Sequence, residues 1–461
     1  MIFKYEQNTV KAVSLPVIYP VYENCDLLID GLSIKKESGH ISSVPTLGHL
    51  KAPVVVYAGL GDKDVLQAES FQLAIRKAAQ AINGQEFVVA LEHLTDDHLT
   101  LLDLTTQSVH AIGDALYSYR DKKDYTVTFI GQHDVSELLE SQQIIQEAVD
   151  HTKDLVNKPS NLLTPLVFEE YLVTLAKEIG VEITTYDNDA LEELGAGGIL
   201  SVNKGSHWPA RLVVLKYQGA NDEPFSALVG KGVTFDSGGY NLKPSNSMAT
   251  MKCDMGGAAS VVGAFEAIVR LKKEVNVYAI VVLTENMING AAYKVDDVIT
   301  MMNKKTVEVT NTDAEGRIVL GDALVHATNL GVKTIVDVAT LTGACVVALG
   351  NEFTGLFSNS PQLTNSFTEA SQRTHEKLWQ LPLSDNVSKS LKDTIVADLV
   401  NSTGKPPGAT VAAAFLQEFI GEDIDWVHLD IAGTAFLKSA QAKSVGATGV
   451  MVKTIFEALT N

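Results

Sequence analysis

Two glycine-rich stretches of the sequence, residues 229–257 and 311–317, are dense in acidic side chains. Four carboxylates stand in them: Asp236, Asp254, Asp313 and Glu315. Carboxylates brought together without cations repel one another and ionise with difficulty. Two divalent metal ions about 3.5–4 Å apart remove that repulsion, and such pairs recur in hydrolytic enzymes. The four acids therefore indicate a two-metal site, and oxygen ligands favour Mn²⁺, Mg²⁺ or Zn²⁺.

Three cations lie among the same acids: Lys231, Lys243 and Arg317. A cation held in such a site can stabilise negative charge that develops in a transition state. Each acid taken singly could instead be a helix cap or a solvated loop residue, and Lys231 could form a structural ion pair with Asp236. The combination of acids and cations in two short stretches favours a catalytic site over these alternatives.

Apolar strands and helical patterns are predicted on either side of these residues. In the second half of the chain we predict strands at 181–186, 211–217, 225–229, 277–283, 334–339 and 426–431. Helices are predicted at 164–180, 256–272, 314–329 and 409–420. One strand ends just before Lys231, and two of the helices begin beside Asp254 and Asp313. Since ligand sites collect at the carboxyl ends of strands in open α/β sheets, these elements would position the acids together.

The first 130 residues alternate strand and helix patterns of their own. Strands are predicted at 53–57, 86–91 and 125–130, and helices at 69–82 and 97–120. A chain of 461 residues is also too long for one ordinary core. We therefore predict an α/β protein with a smaller N-terminal α/β domain at 1–134, a linker helix and connection at 135–163, and a larger catalytic domain at 164–461. The larger domain should hold a mixed, mainly parallel central sheet covered by helices, because its strands are continuous apolar runs.

The composition narrows the possible partners and the compartment. With 36 basic and 56 acidic residues the formal charge is −20, which disfavours nucleic-acid binding. A local basic patch that binds nucleic acid remains an alternative. The three cysteines Cys25, Cys253 and Cys345 are few and widely spaced, as in proteins of a reducing compartment. The N-terminus has no apolar signal segment, and no run of 18 apolar residues occurs. We expect a cytoplasmic protein without a membrane span.

Other catalytic motifs are missing from the sequence. Lys231 is followed by Gly232 rather than by Ser or Thr, so the phosphate-loop pattern is broken. The sequence holds neither an HExxH zinc motif nor a GxSxG nucleophile elbow. The lone GxG at 59–61 is weak support for a dinucleotide site. The two acidic stretches thus remain the main candidate for chemistry.

At these acidic stretches the sequence resembles the leucyl aminopeptidase family, also called the cytosol aminopeptidase family of metallopeptidases. The family motif NTDAEGR stands unbroken at 311–317, and the pattern VGKG-x-TFDSGG-x-x-x-KP fills 229–244. The resemblance extends over 150–461 and includes the segments 339–343 and 430–434. The N-terminal domain matches the family in outline, which implies a macro-like α/β fold there.

The resemblance implies a role for each site residue. It implies five metal ligands: Lys231, Asp236, Asp254, Asp313 and Glu315. Of these, Asp236 and Glu315 would bridge two ions. It implies two catalytic cations, Lys243 and Arg317, with a bicarbonate held at Arg317 near the backbone amides of Leu341. It implies a substrate pocket lined by Met251, Asn311, Thr340, Leu341 and Gly343. A lysine ligand must be a neutral amine, and burial together with nearby divalent cations favours that form.

The activity that the resemblance implies is removal of the N-terminal residue from short peptides, with preference for Leu, Met or another apolar residue. Water would be activated by two divalent ions, Mn²⁺ or Zn²⁺, in a subunit of a homohexamer. Two alternatives stay open on the residues alone. A carboxylate-rich dimetal site also suits a phosphoesterase, and the N-terminal domain could make the chain a binding protein. Hydrolysis of leucine p-nitroanilide rather than p-nitrophenyl phosphate would separate the two enzyme classes.

Overall fold

A computed structural model describes residues 1–96, 99–438 and 446–461 of the chain. The chain divides into two compact units, Met1–Glu147 and Ala148–Asn461. Each unit is built of α/β layers, which confirms the predicted fold class and the two-domain organisation. The finer division at 134 and 163 stays a prediction. Residues 97 and 98, at the start of the helix predicted at 97–120, lie outside the described residues.

The first unit contains one six-stranded sheet and helices packed on it. Its elements are β1 Ile2–Gln7, β2 Val17–Tyr22, β3 Ile41–Pro45, β4 Val54–Gly61, α1 Ala68–Ala81, β5 Glu86–Ala90, α2 Leu101–Leu116, β6 Thr126–Gly131 and the first part of α3 Ser136–Asn157. The strand order is β1-β6-β5-β2-β4-β3, and every neighbouring pair is parallel except β3 with β4. Apolar residues of α1 and α2 pack on the sheet to form the core of this unit.

The second unit contains most of the helices and a larger sheet. Its elements up to the second acidic stretch are α4 Pro165–Ile179, β7 Glu182–Tyr186, α5 Asn188–Leu194, α6 Gly197–Asn203, β8 Arg211–Gln218, β9 Ser226–Asp236, α7 Ser245–Met248, α8 Gly256–Arg270, β10 Asn276–Asn286, β11 Val298–Thr300 and β12 Thr306–Glu308. The elements that follow are α9 Glu315–Asn329, β13 Thr334–Ala339, α10 Gly343–Leu349, β14 Thr354–Ser358, α11 Pro361–Thr374, β15 Leu378–Gln380, α12 Asp385–Ser390, β16 Leu399–Val400, α13 Gly408–Gln417, β17 Asp425–Asp430, β18 Phe436–Leu437, β19 Gly446–Ala447 and α14 Val452–Thr460.

The main sheet of the second unit has eight strands in the order β15-β14-β17-β13-β9-β10-β8-β7. Its central strands β17, β13, β9 and β10 are mutually parallel, and the antiparallel pairs lie nearer the edges. This mixed, mainly parallel sheet agrees with the sequence prediction. Strands β9, β10 and β13 are buried, and both α8 and α9 pack on them. The parallel arrangement places the carboxyl ends of β9, β10, β13 and β17 at one edge of the sheet, and the first acidic stretch, 229–257, leaves β9 at that edge.

Strand β9 contains an irregularity that matters for the site. Val233 pairs with Thr284 and Asp236 pairs with Asn286, so β9 has one residue more than β10 across this interval. Such a bulge reverses the alternation of side chains along a strand. Lys231 and Asp236 are five positions apart and would face opposite sides of a regular strand. The extra residue accounts for their side chains reaching the same site.

Close backbone packing fixes the two helices that flank β9. A Cβ atom on Gly257 in α8 would lie 2.0 Å from the carbonyl oxygen of Val338 in β13, so only glycine fits there. The first turn of α8 therefore lies directly against the sheet. Asp254, two residues before the helix, is thereby placed at the carboxyl edge. No helix within the described ranges is long and apolar enough to span a membrane.

Candidate metal centre and active site

Asp236 is the last residue of β9, and its carboxylate is held by two donors. The Gly238 amide and the Asn286 Nδ2 group each donate to Asp236 Oδ1 over 2.8 Å. The turn is possible because Gly238 has φ +87°, a left-handed conformation that side chains disfavour. These bonds occupy one carboxylate oxygen of a residue that is 2% exposed, and they leave Oδ2 directed to Lys243.

Lys231 and Asp254 meet beneath the carboxyl edge of the sheet. Lys231 Nζ lies 2.8 Å from the Asp254 carboxylate and 3.0 Å from Glu315 Oε1, and it donates to the Thr340 carbonyl over 3.0 Å. Thr340 Oγ1 donates to Asp254 Oδ1 over 2.8 Å. The side chains of this group are almost completely buried. Asp254, from the turn before α8, is thus joined to residues of β9, α9 and the loop after β13.

Glu315 and Asp313 stand at the amino end of α9. Glu315 is the first residue of the helix and is 1% exposed, whereas the Asp313 side chain retains 32% exposure. A Cβ atom on Gly316 would lie only 2.6 Å from Lys231 Cε. The missing side chain at Gly316 is what lets the first turn of α9 come this close to Lys231.

Lys243 joins the two acidic stretches. Its Nζ lies 2.7 Å from Asp236 Oδ2 and 2.6 Å from Asp313 Oδ1. The turn that carries it is closed by a hydrogen bond from the Lys243 amide to the Ser237 carbonyl. The Lys243 ammonium is therefore held at the partly exposed side of the site, where a bound molecule could reach it.

The charges in this cluster shift one another's protonation. Burial raises the pKa of Glu315 to about 8, and the neighbouring Asp236 charge adds to the rise. Burial likewise raises the pKa of Asp254 to about 6, against the lowering influence of Lys231. Burial alone would lower the pKa of Lys231 and Lys243, but the surrounding carboxylates outweigh it and hold both above the ordinary range. The cluster therefore has acids that resist ionisation and needs positive charge to hold all of them as carboxylates.

The donor set fits a hard divalent cation. One ligand oxygen from each of Asp236, Asp313 and Glu315 can be chosen so that all three lie within 4.8 Å of one another. Glu315 Oε2 is buried and has no hydrogen-bond partner among the described residues. An orphaned carboxylate oxygen of this kind is costly unless a cation satisfies it. Such cations would also favour the neutral amine of Lys231, reversing the preference set by the carboxylates.

Arg317 lies two residues after Glu315 in α9 and is 7% exposed. Its Nη1 donates to the carbonyl of Asn401 over 2.8 Å, while its buried Nε has no hydrogen-bond partner among the described residues. Burial lowers the pKa of Arg317 to about 10, so the guanidinium stays charged at neutral pH. A charged guanidinium group with an unpaired N–H group can bind an oxyanion.

The predicted pocket residues have different placements. Thr340 and Asn311 are tied into the site, the latter by accepting from the Asp313 amide over 2.8 Å. Leu341 donates its amide to Asp430 Oδ1. Gly343 is exposed, with no atom within 4 Å of the position a Cβ would take, so space is open in front of it. Met251 is half-buried and begins the turn that carries Asp254.

Two supporting residues were absent from the sequence prediction. Asn286, fully buried at the end of β10, donates to both Asp236 Oδ1 and the Thr312 carbonyl, and so links the two acidic stretches. Asp430, at the end of β17, accepts from the amides of Leu341 and Thr342 and from the Thr342 hydroxyl. Two signals could have identified Asp430: its position near the carboxyl end of a predicted strand and its place in the segment 430–434 that resembles the family.

Comparison with known proteins agrees with this geometry. The profile of the cytosol aminopeptidase family, catalytic domain, matches residues 150–456, and the profile of its N-terminal domain matches residues 25–124. A solved structure titled bottromycin maturation enzyme BotP has 33% sequence identity and a TM-score of 0.89, covering 97% of this chain and 99% of that chain. A second structure, of BotP in complex with Mn, has the same identity and coverage and a TM-score of 0.90. The chain therefore belongs to the cytosol aminopeptidase family, a family of metallo-exopeptidases.

Proposed function

We propose that this protein is a metal-dependent aminopeptidase that uses two divalent ions to remove the N-terminal residue from short peptides. The observation that carries the proposal is the convergence of the two acidic stretches. Asp236 and Asp313 share the Lys243 ammonium, and Asp254 and Glu315 share Lys231, all at one edge of the sheet. A cluster so rich in buried acids has a ready explanation in a pair of bound cations.

The residues that would hold the ions are Lys231, Asp236, Asp254, Asp313 and Glu315. When bound, such ions polarise a carbonyl group and make water a stronger nucleophile at neutral pH. Mn²⁺ and Zn²⁺ are the candidates for this oxygen-rich set. The solved structure of BotP in complex with Mn, which is 33% identical to this chain, supports the choice of Mn²⁺.

The chain's own cations would act on the charge that develops during hydrolysis. Lys243 is held at the half-open side of the site and would donate a hydrogen bond to the oxyanion formed from the scissile carbonyl. Arg317 has a buried Nε donor to spare and would hold a bicarbonate ion, which would supply a general base at this position. Both roles need positive charge at neutral pH: the surrounding carboxylates raise the pKa of Lys243, and Arg317 stays charged although burial lowers its pKa to about 10.

The residue that is removed would occupy the pocket formed by Met251, Asn311, Thr340, Leu341 and Gly343. The open space at Gly343 and the half-buried Met251 support an apolar side chain of moderate size, such as Leu or Met. An apolar pocket discriminates by only about 1–3 kcal/mol per methylene, so we expect broad activity with a preference. The family resemblance further supports a homohexamer that acts in the cytoplasm.

The experiment is release of p-nitroaniline from leucine p-nitroanilide by metal-stripped protein with Mn²⁺ or Zn²⁺ added back. Asp254→Asn is the test variant, because it keeps the size of the side chain and removes its charge. Asp385→Asn, an exposed acid at the start of α12, is the matched control.

Activity that requires added metal, persists in Asp385→Asn and falls by about 10²-fold or more in Asp254→Asn would support the proposal. This magnitude is typical of losing one stabilising group from an active site. A folded wild-type protein that hydrolyses p-nitrophenyl phosphate but no aminoacyl anilide would replace the proposal by a phosphoesterase. Equal activity in the two variants would rule out Asp254 as a ligand.

A further inference from the structure

Asn401 is a fully buried residue just after β16 that bonds to the second acidic stretch from outside it. Its Oδ1 accepts from the amides of Thr310 and Asn311 over 2.8 and 3.2 Å, and from the Thr310 hydroxyl over 3.1 Å. Its Nδ2 donates to the carbonyls of Asn311 and Ala314 over 2.6 and 3.3 Å. One side chain therefore holds both ends of the loop that precedes α9.

The backbone of Asn401 contacts the same region a second way. Its carbonyl accepts from Arg317 Nη1 over 2.8 Å. The side chain thus fixes the loop that carries Asp313 and leads into Glu315, while the backbone fixes the guanidinium one half-turn further along α9. A displacement of Asn401 would move a proposed ligand and a proposed catalytic cation together.

The chemistry of an amide is required at this position. Asn401 faces two amide donors on one side and two carbonyl acceptors on the other, and a carboxamide satisfies both sets at once. This arrangement also settles the orientation of the amide, since the reverse orientation would oppose like groups. An aspartate would set a negative oxygen against the carbonyls of Asn311 and Ala314.

We propose that Asn401 is a positioning residue for the metal centre: it sets the places of Asp313, Glu315 and Arg317 through the backbone loop and the guanidinium. It acts through these groups, since its side-chain bonds among the described residues go to backbone atoms and the Thr310 hydroxyl. The inference rests on the proposed function for its effect on turnover. Its effect on metal binding and on the loop is independent of which substrate is cleaved.

The test compares Asn401→Ala and Asn401→Asp with Asn276→Ala. Asn276 is 3% exposed at the amino end of β10, and its side chain donates to the Glu223 carbonyl and accepts from the Ala220 amide. Like Asn401, it is a buried asparagine whose side chain bonds to backbone groups, but it lies at the opposite end of the sheet. Asn276→Ala therefore measures how much stability is lost when such hydrogen bonds are removed. Each variant is measured for Mn²⁺ affinity by calorimetry, for hydrogen exchange of the 310–317 segment, and for kcat and KM on leucine p-nitroanilide.

We expect Mn²⁺ affinity to fall about tenfold or more in both Asn401 variants, with faster exchange at 310–317. We expect kcat to fall more than KM rises, because Asn401 arranges the reacting groups rather than the pocket. Asn276→Ala should change stability while leaving affinity and kcat within about twofold of wild type. Asn401 variants that match Asn276→Ala in affinity, exchange and kcat would overturn the proposal.

Failure of the proposed function gives a different result. A wild-type protein that binds Mn²⁺ but cleaves no aminoacyl anilide would refute the aminopeptidase assignment, and affinity and exchange would still decide the role of Asn401. If Asn401→Ala does not fold, the measurements on Asn401→Asp test the proposal, because this variant keeps the acceptor oxygen and the side-chain volume. Wild-type affinity and exchange in folded Asn401→Asp would then overturn the inference.

Discussion

The Thr340 hydroxyl donates a hydrogen bond to Asp254 Oδ1 over 2.8 Å. The carbonyl of the same threonine accepts from Lys231 Nζ, so a single residue in the loop after β13 contacts two members of the cluster. Thr340 is 8% exposed, and its bonds form in a region with little competing water. Asp254 is therefore oriented by a group that is not itself a proposed metal ligand.

Replacing Thr340 by valine should weaken metal binding while preserving the shape of the side chain. A hydrogen bond to a charged group contributes about 1.5–3 kcal/mol, which corresponds to roughly a tenfold or larger loss of Mn²⁺ affinity if the carboxylate reorients. Calorimetric titration of metal-stripped protein measures this. Thr340→Ser, which keeps the hydroxyl, should stay near wild type, and a loss of equal size in both variants would show that the hydroxyl alone does not account for the effect.

Gly316→Ala should disturb Lys231 although alanine favours helices. The new methyl group would lie 2.6 Å from Lys231 Cε, and the lysine cannot swing away because Asp254, Glu315 and Thr340 hold its ammonium. The gain of about 1 kcal/mol in helix propensity should be smaller than this steric cost. We expect a lower melting temperature and at least tenfold lower activity.

The control for Gly316 is Gly290→Ala, where the added Cβ meets no atom within 4 Å. Differential scanning calorimetry and the anilide assay are run on both proteins. Unchanged activity in Gly316→Ala would mean that α9 can shift without disturbing Lys231.

Removing divalent metal should destabilise the catalytic unit. Ligands that bind only the folded state stabilise it by about 2.7 kcal/mol when their free concentration is 100 times the dissociation constant. The raised pKa values of Glu315 and Asp254 mean that these acids ionise with difficulty, so a bound cation would stabilise their charged forms. The melting temperature should therefore rise with Mn²⁺ concentration and fall with a chelator. The same Mn²⁺-dependent rise in Asp236→Asn would place the stabilising ion elsewhere.

Stability should also depend on pH through His151 and Glu266, which lie away from the metal centre. His151 Nδ1 lies 3.1 Å from the Glu266 carboxylate, and Arg270 Nε donates to the same carboxylate over 2.7 Å. The hydrogen bond to Glu266 raises the pKa of His151 above 6.5. Burial works to raise the pKa of Glu266, but hydrogen bonds from His151 and Arg270 outweigh it and leave that pKa below 4.5.

The two shifts define a pH window. A raised histidine pKa contributes stability that is complete below pH 6.5 and is lost as pH rises through the raised value. A lowered glutamate pKa contributes stability that is present above pH 4.5 and is lost as pH falls through the lowered value. The difference in melting temperature between wild type and His151→Gln should be largest between these limits and should shrink toward pH 8.5. A difference that stays constant across pH would exclude the protonated pair.

Sequence reasoning identified the carboxylates because their motifs lie in short continuous stretches. The predicted strand 225–229 ended at Gly230, but β9 continues to Asp236. The structure gives the reason: a Cβ on Gly230 would lie 2.5 Å from the Cα of Ala258, so glycine allows α8 to pack on a strand that continues. The bulge in β9 that aligns Lys231 with Asp236 depends on pairing with β10, and no local pattern predicts it.

The first unit shows a similar limit. Strands β1 and β2 were not predicted: the first carries polar residues along much of its length, and the second contains Pro20. Both form strands because they pair with strands far away in the sequence: β1 pairs with β6, and β2 pairs with β4 and β5. Asn286, Asn401 and Asp430 were overlooked for the same reason, because their importance lies in contacts with residues far away in the sequence.

The placement of Asn401 and Asp430 also has a consequence for the order of assembly during synthesis. A ribosome makes the acidic stretches well before it makes the residues that brace their loops. Until residues 401 and 430 have left the ribosome, the loops around Asn311 and Leu341 lack these anchors. The nascent chain would therefore present its carboxylates without the arrangement described above until residues 401 and 430 are available to bond.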